Sequence, residues 1–207
     1  MGTPELRTSI AAARSAGADV VIVFPHWGLE FQAQPTASQR RFAKVAVIAG
    51  ADMVLGGHSH WASAMEVING KPVFYSMGNF IFDQNWSVET SQGLVIESTF
   101  IGSRLVSTRM LPTVILKQSQ PNFVDIATDG VPIASLGVER LVLLQIHHGG
   151  SQANRFSPGE QRLSDGKVGI LLFAFVRSVC CWSLVGQEAR LALLGGDADC
   201  GHQAGIQ

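Results

Sequence analysis

The chain has 207 residues, 46% of them hydrophobic and 15% charged, which suits a folded protein with a sizeable core and excludes a disordered one. With 15 basic against 16 acidic residues the formal net charge is -1, so composition gives no case for a nucleic-acid partner. Cys180, Cys181 and Cys200 form no C-x-x-C pair, and an odd count with two adjacent members is a poor disulfide framework, so they identify no redox compartment.

The chain opens without an apolar signal core, since Glu5 and Arg7 follow Met1 closely; either the protein is cytoplasmic or its natural beginning lies upstream, and the motifs below favour the second. Residues 4–16 read as a helix, with Thr3 able to cap, Pro4 in the first turn and Gly17 at the exit. Ala18 and Asp19 lead into the apolar run Val20–Phe24, and His26 follows. Residues 36–49 read as a second helix, ended by Gly50; Ala51 and Asp52 then lead into Met53–Leu55, and His58 follows. The text Ala-Gly-Ala-Asp thus recurs 33 residues apart, each time between a helix and a short all-apolar strand. That unit, used twice, predicts two adjacent parallel strands buried on both faces.

Beyond them, Pro72–Phe82, Gly93–Ile101 and Leu105–Leu116 are β-rich, with Gly102-Ser103 as a two-residue turn. After Asp129 the patterning decays. The apolar stretch Val168–Val185 is long enough to raise a membrane span, but the central Arg177 favours a buried helix or a strand pair.

Both predicted parallel strands lead to histidine. Ligands in open α/β sheets sit beyond the carboxyl ends of the strands, so His26, His58 and His60 should converge there. Neutral imidazole is a good ligand for Mn, Zn or Fe. Taken singly, His26 reads better as a hydrogen-bonded core or loop residue, and His-x-His is a weak pattern. The ordered pair, a strand ending in His-Trp-Gly and a later one ending in Gly-Gly-His-Ser-His, is what points to a metal site. Asn79 and Asp83 are candidates for the site mouth, with a turn and a cap as the competing reading. Trp27 and Trp61 either shield the site or simply pack, and Glu30 reads as a solvated loop residue. His147-His148 reads as a surface loop pair, and His202 as part of a disordered end.

The motifs PHWG (25–28), GGHSH (56–60) and YSMGNFIFDQ (75–84), with LPTVILKQSQPNF (111–123), resemble the CapA family of capsule poly-γ-glutamate synthesis proteins, within the calcineurin-like metallophosphoesterase superfamily. The resemblance covers roughly residues 1–125 and corresponds to the C-terminal half of such a domain; residues 126–207 are an uncharacterised tail. It implies an α/β fold: part of a metallophosphoesterase-type sandwich, with parallel core strands and an antiparallel β extension. It further implies that His26 and His58 ligate one divalent ion and His60 a second. The full-length protein would act at the cell envelope or outside the cell, with the capsule synthesis or export machinery or poly-γ-glutamate as partner. A soluble phosphate-ester hydrolase and a non-enzymatic envelope scaffold are the rival functions.

The departures from the pattern are as informative. The family's Asp-x-His and Gly-Asn-His motifs do not occur, and Gly196-Asp197 follows the histidines where the family's Gly-Asp precedes them. The resemblance therefore leaves the bridging carboxylate, the Asn ligand and the catalytic His without counterparts. The expectation is a fragment that is inactive alone, with weak metal binding and an uncovered sheet edge.

Overall fold

The computed structural model describes residues 3–117 and 119–124, together with strand segments 146–147, 168–176, 179–185 and 191–197. Helix α1 (Thr3–Ser15) leads through Gly17 to β1 (Val20–His26), and α2 (Ala37–Ala49) leads through Gly50 to β2 (Met53–Leu55). Thr36 caps α2 in a reciprocal box with Gln39, and the Gly50 N–H donates back to Ala46 and Val47, so both ends of this helix are closed by local chemistry. β3 (Met65–Ile68) and β4 (Lys71–Phe74) form a hairpin around Asn69-Gly70, both at positive φ (48° and 75°) as its two-residue turn requires. Asn-Gly between two apolar runs is a hairpin signal that the sequence carries locally. Only the first part of Pro72–Phe82 is strand; the rest is loop.

β1 and β2 are parallel neighbours, with Ile22 opposite Met53 and Val23 opposite Val54, as expected. β11 (Leu191–Asp197) lies on the other side of β1, giving the mixed sheet order β11-β1-β2-β4-β3. This corrects the expectation of an uncovered edge at β1, because a segment far along the chain supplies the missing ladder partner. The second sheet is antiparallel. β5 (Gln92–Ile101), β6 (Arg104–Leu116) and β7 (Gln120–Phe123) run in sequence, and β9 (Val168–Val176) with β10 (Val179–Val185) extends the β5 edge. Val168–Val176 and Val179–Val185 thus form an antiparallel strand pair, and no helix among the described residues is long and apolar enough to cross a membrane. β8 (Ile146–His147) pairs with β6, which corrects the loop reading for His147; His148, Arg177, Cys200 and His202 lie outside the described residues.

The all-apolar strands are explained by what covers each face. Val20, Ile22, Met53 and Leu55 point toward the antiparallel sheet and pack with Leu94, Ile96, Phe100 and Met110. Val21, Val23 and Val54 point the other way, under Leu6 and Ile10 of α1 and Ala43, Ala46 and Val47 of α2. The architecture is α/β, in three layers: helices, a largely parallel sheet, and an antiparallel sheet.

Tyr75, the chain's single tyrosine, is buried in the helix-side core, with its hydroxyl donating to Glu66 Oε2 at 3.1 Å. Burial raises the phenol above its ordinary value, and the nearby Arg40 guanidinium opposes that shift. A pKa raised on folding gives stability that is intact below the unfolded value of about 10 and is lost as pH climbs through the folded one. Urea midpoints should therefore fall above about pH 10, and Tyr75→Phe should flatten part of that fall. Phenolate absorbance reports the same group directly; titration at the ordinary value would contradict the buried placement.

Candidate metal centre

The site is built at the carboxyl ends of β1 and β2. His26 closes β1 and pairs with Gly57 in an isolated parallel bridge. Gly57 N donates to Pro25 O at 3.1 Å and Trp27 N to Gly57 O at 3.3 Å, so the two strand ends are stitched together before either histidine loop departs. Gly56 lies against the next strand, donating to Phe74 O at 2.7 Å. A Cβ there would stand 2.2 Å from Tyr75 O and 2.4 Å from Trp27 Nε1, so only glycine fits.

This stitching brings the predicted histidines together. The rings of His26 and His58 are 4.5 Å apart between centroids, and those of His58 and His60 are 6.4 Å apart. His58 has φ 100° and His60 φ 58°, both in the left-handed region that side chains rarely adopt. Two such residues in one short loop cost of order 1–3 kcal/mol each and are held there by the surrounding ladder. His60 is buried, at 8% exposure, whereas His26 and His58 are partly open.

The other candidates separate clearly. Asn79 does not line a mouth; it is 1% exposed, and its Oδ1 stands 2.9 Å from His60 Nδ1. Asp83 is exposed on the same loop, and its neighbour Phe82 packs against the His60 ring at 5.1 Å. Glu30 is half exposed, as a solvated residue would be, yet its Oε1 is 3.8 Å from His60 Nε2. Sequence reasoning missed that proximity because Phe31, at φ 58°, turns the loop back; its N–H donates to Ser59 O at 2.8 Å.

Trp27 is a packing residue. It stacks on Tyr75 at 5.6 Å, meets Phe42 edge-on at 5.4 Å, and donates through Nε1 to Tyr75 O at 2.8 Å. Trp61 belongs to the aromatic wall of the site instead: Phe31 stacks on His60 at 6.0 Å and touches both Trp61 and Trp86 at 6.3 Å.

The donor types suit a borderline divalent ion: three imidazoles, with one carboxylate beside the buried one. Among the described residues, no three His, Cys, Asp or Glu side chains stand in an arrangement ready to hold an ion. Chain order is a poor guide to the rest of the site. Gly196-Asp197, set aside in the sequence for following the histidines, ends β11 with the backbone of Asp197 in register with His26.

Residues 2–84 match the family model described as bacterial capsule synthesis protein PGA_cap. The chain is 40% identical over 92 residues to the PGA biosynthesis protein CapA of Bacillus subtilis (strain 168), a stretch that is 44% of this chain and 24% of that protein. It is also 40% identical over 82 residues to the capsule biosynthesis protein CapA of Bacillus anthracis, covering 40% of this chain and 20% of that protein. The chain thus spans only about a quarter of the length of these curated relatives. The matched residues run from the first helix through the loop that carries Asn79, and over that stretch the chain is similar to the CapA capsule-synthesis proteins.

Proposed function

We propose that the chain serves the synthesis or export of a poly-γ-glutamate capsule at the cell envelope, and that His26, His58 and His60 hold a divalent ion, Mn, Zn or Fe, in that work. One observation carries the reading: the family match over residues 2–84 contains the whole histidine cluster. Such an ion, when bound, supplies Lewis acidity and lowers the pKa of a coordinated water. The part of the residues themselves is to bring three neutral donors to one sheet end and to wall one side with Phe31 and Phe82. Glu30 adds negative charge at the His60 edge of the cluster.

A second reading, a non-enzymatic envelope component that keeps the histidines as a binding site, is favoured by the donor set. Among the described side chains, the carboxylate at the cluster is the half-exposed Glu30, whereas a two-ion site needs carboxylate charge between two cations. Calorimetric titration of the chain with Zn or Mn should give weak binding of about one ion. His58→Ala should abolish it. Phosphatase and phosphodiesterase turnover should not exceed that of the same variant. Strong metal-dependent turnover removed by His58→Ala would instead establish a complete hydrolytic site.

A further inference from the structure

The hydrogen bonds around Asn79 fix something that ring coordinates alone leave open, namely which nitrogen of His60 carries the proton. Asn79 Nδ2 donates to the backbone carbonyl of Thr90 at 2.9 Å. A carbonyl only accepts, so the amide orientation is determined: Nδ2 faces Thr90, and Oδ1 faces His60 Nδ1 at 2.9 Å. An amide oxygen likewise only accepts, so Nδ1 must be the donor. His60 Nε2 then holds the lone pair when the ring is neutral, and it is the nitrogen turned toward Glu30 at 3.8 Å.

The clamp is rigid. Asn79 is 1% exposed and Thr90 is equally buried. Thr90 is itself held by Ser87: its Oγ1 donates to Ser87 O at 3.1 Å, and its N–H donates to Ser87 Oγ at 3.2 Å. On the other side, a Cβ on Gly93 would stand 1.9 Å from Asn79 O, so the backbone of Asn79 is pressed against β5.

We infer that Asn79 is a positioning residue that holds His60 in its Nδ1–H tautomer and thereby presents Nε2 as the free donor of the histidine cluster. The consequence for metal rests on the reading given under Proposed function, but the tautomer itself does not. Outer-shell partners of this kind orient a ligating imidazole and raise its basicity, and losing one lowers metal affinity by roughly 10–100-fold.

The test uses the full chain labelled with 15N-histidine, without metal, at mildly alkaline pH. Two-bond nitrogen–proton correlations distinguish the tautomers, and the His60 ring is assigned by its absence in His60→Gln. The wild-type chain should show Nδ1–H at His60. An Nε2–H or tautomer-averaged pattern overturns the proposal. Asn79→Ala should release the preference and lower zinc affinity by roughly 10–100-fold. An unchanged tautomer in Asn79→Ala also overturns it. If the tautomers behave as stated and the wild-type chain takes up no zinc, the positioning role stands and the metal reading fails.

Discussion

Gly56→Ala should destabilise the chain by about 3–5 kcal/mol, the sum of an overpacking term and one broken buried hydrogen bond. The added Cβ would stand 2.2 Å from Tyr75 O, 2.4 Å from Trp27 Nε1 and 2.8 Å from Tyr75 C. None of these neighbours is the loose end of a flexible side chain. Two belong to the backbone just beyond β4, and the third is an indole stacked on Tyr75 and met edge-on by Phe42 that already donates to Tyr75 O at 2.8 Å. The methyl would have to break that bond or push β2 away from β4, where Gly56 N donates to Phe74 O and Met77 N to Gly56 O. Against a usual total of about 5–15 kcal/mol, this is a large share of the stability. The thermal midpoint should fall by roughly 6–20 °C, at roughly 2–4 °C per kcal/mol for a chain of this length. Since His58 stands two residues on, the histidine resonances should shift even where the variant remains folded. A midpoint within about 0.5 kcal/mol of wild type would mean that the strands do not approach so closely in solution.

The second large effect lies at the opposite end of the sheet. The Asp52 carboxylate is 8% exposed and accepts from Arg14 Nη2 at 2.5 Å, Lys71 Nζ at 2.8 Å and the Val21 N–H at 2.9 Å. One side chain therefore ties α1, β1, β2 and β4 together, and Arg14 extends the tie to the carbonyls of Ala18, Asp19 and Gly50. Breaking a buried ion pair costs about 3–5 kcal/mol, but both cationic partners here are 35% exposed and can rehydrate, which lowers that figure. The Val21 N–H, in a strand covered on both faces, would keep its desolvation cost of about 1–3 kcal/mol. Asp52→Ala should therefore cost about 3 kcal/mol, or roughly 6–12 °C in the thermal midpoint. The histidine cluster is at the far ends of the same strands, so an Asp52→Ala chain that remains folded should keep its His26–His58 contact. A loss below about 1 kcal/mol would show the network to be solvated and of the weak, surface kind.

The two substitutions divide what local sequence carries from what it does not. Helix ends, Gly exits and the short apolar runs were readable because capping chemistry and two-sided burial leave their mark within a few residues. The convergence of His26 with His58 followed from the same text, since neighbouring parallel strands must end on the same side of their sheet. Yet the repeated Ala-Gly-Ala-Asp text did not say that Asp52 would be the buried anchor while Asp19 stays exposed. β2 is flanked by β1 and β4, and that neighbourhood closes over Asp52 only when the sheet forms.

The sequence by itself determined the α/β class, the parallel β1–β2 pair and the sheet end at which the histidines gather. Tertiary structure alone decided that Asn79 would grip His60, that Glu30 would return to within 3.8 Å of its Nε2, and that Leu191–Asp197 would cover the edge of β1. The reason is physical. Periodicity and caps record whether a face or an end is covered, because covered and open positions demand different side chains. They do not record which distant segment does the covering: any strand with a free ladder edge offers the same backbone groups, and a buried amide can meet any loop that the packing brings within about 3 Å.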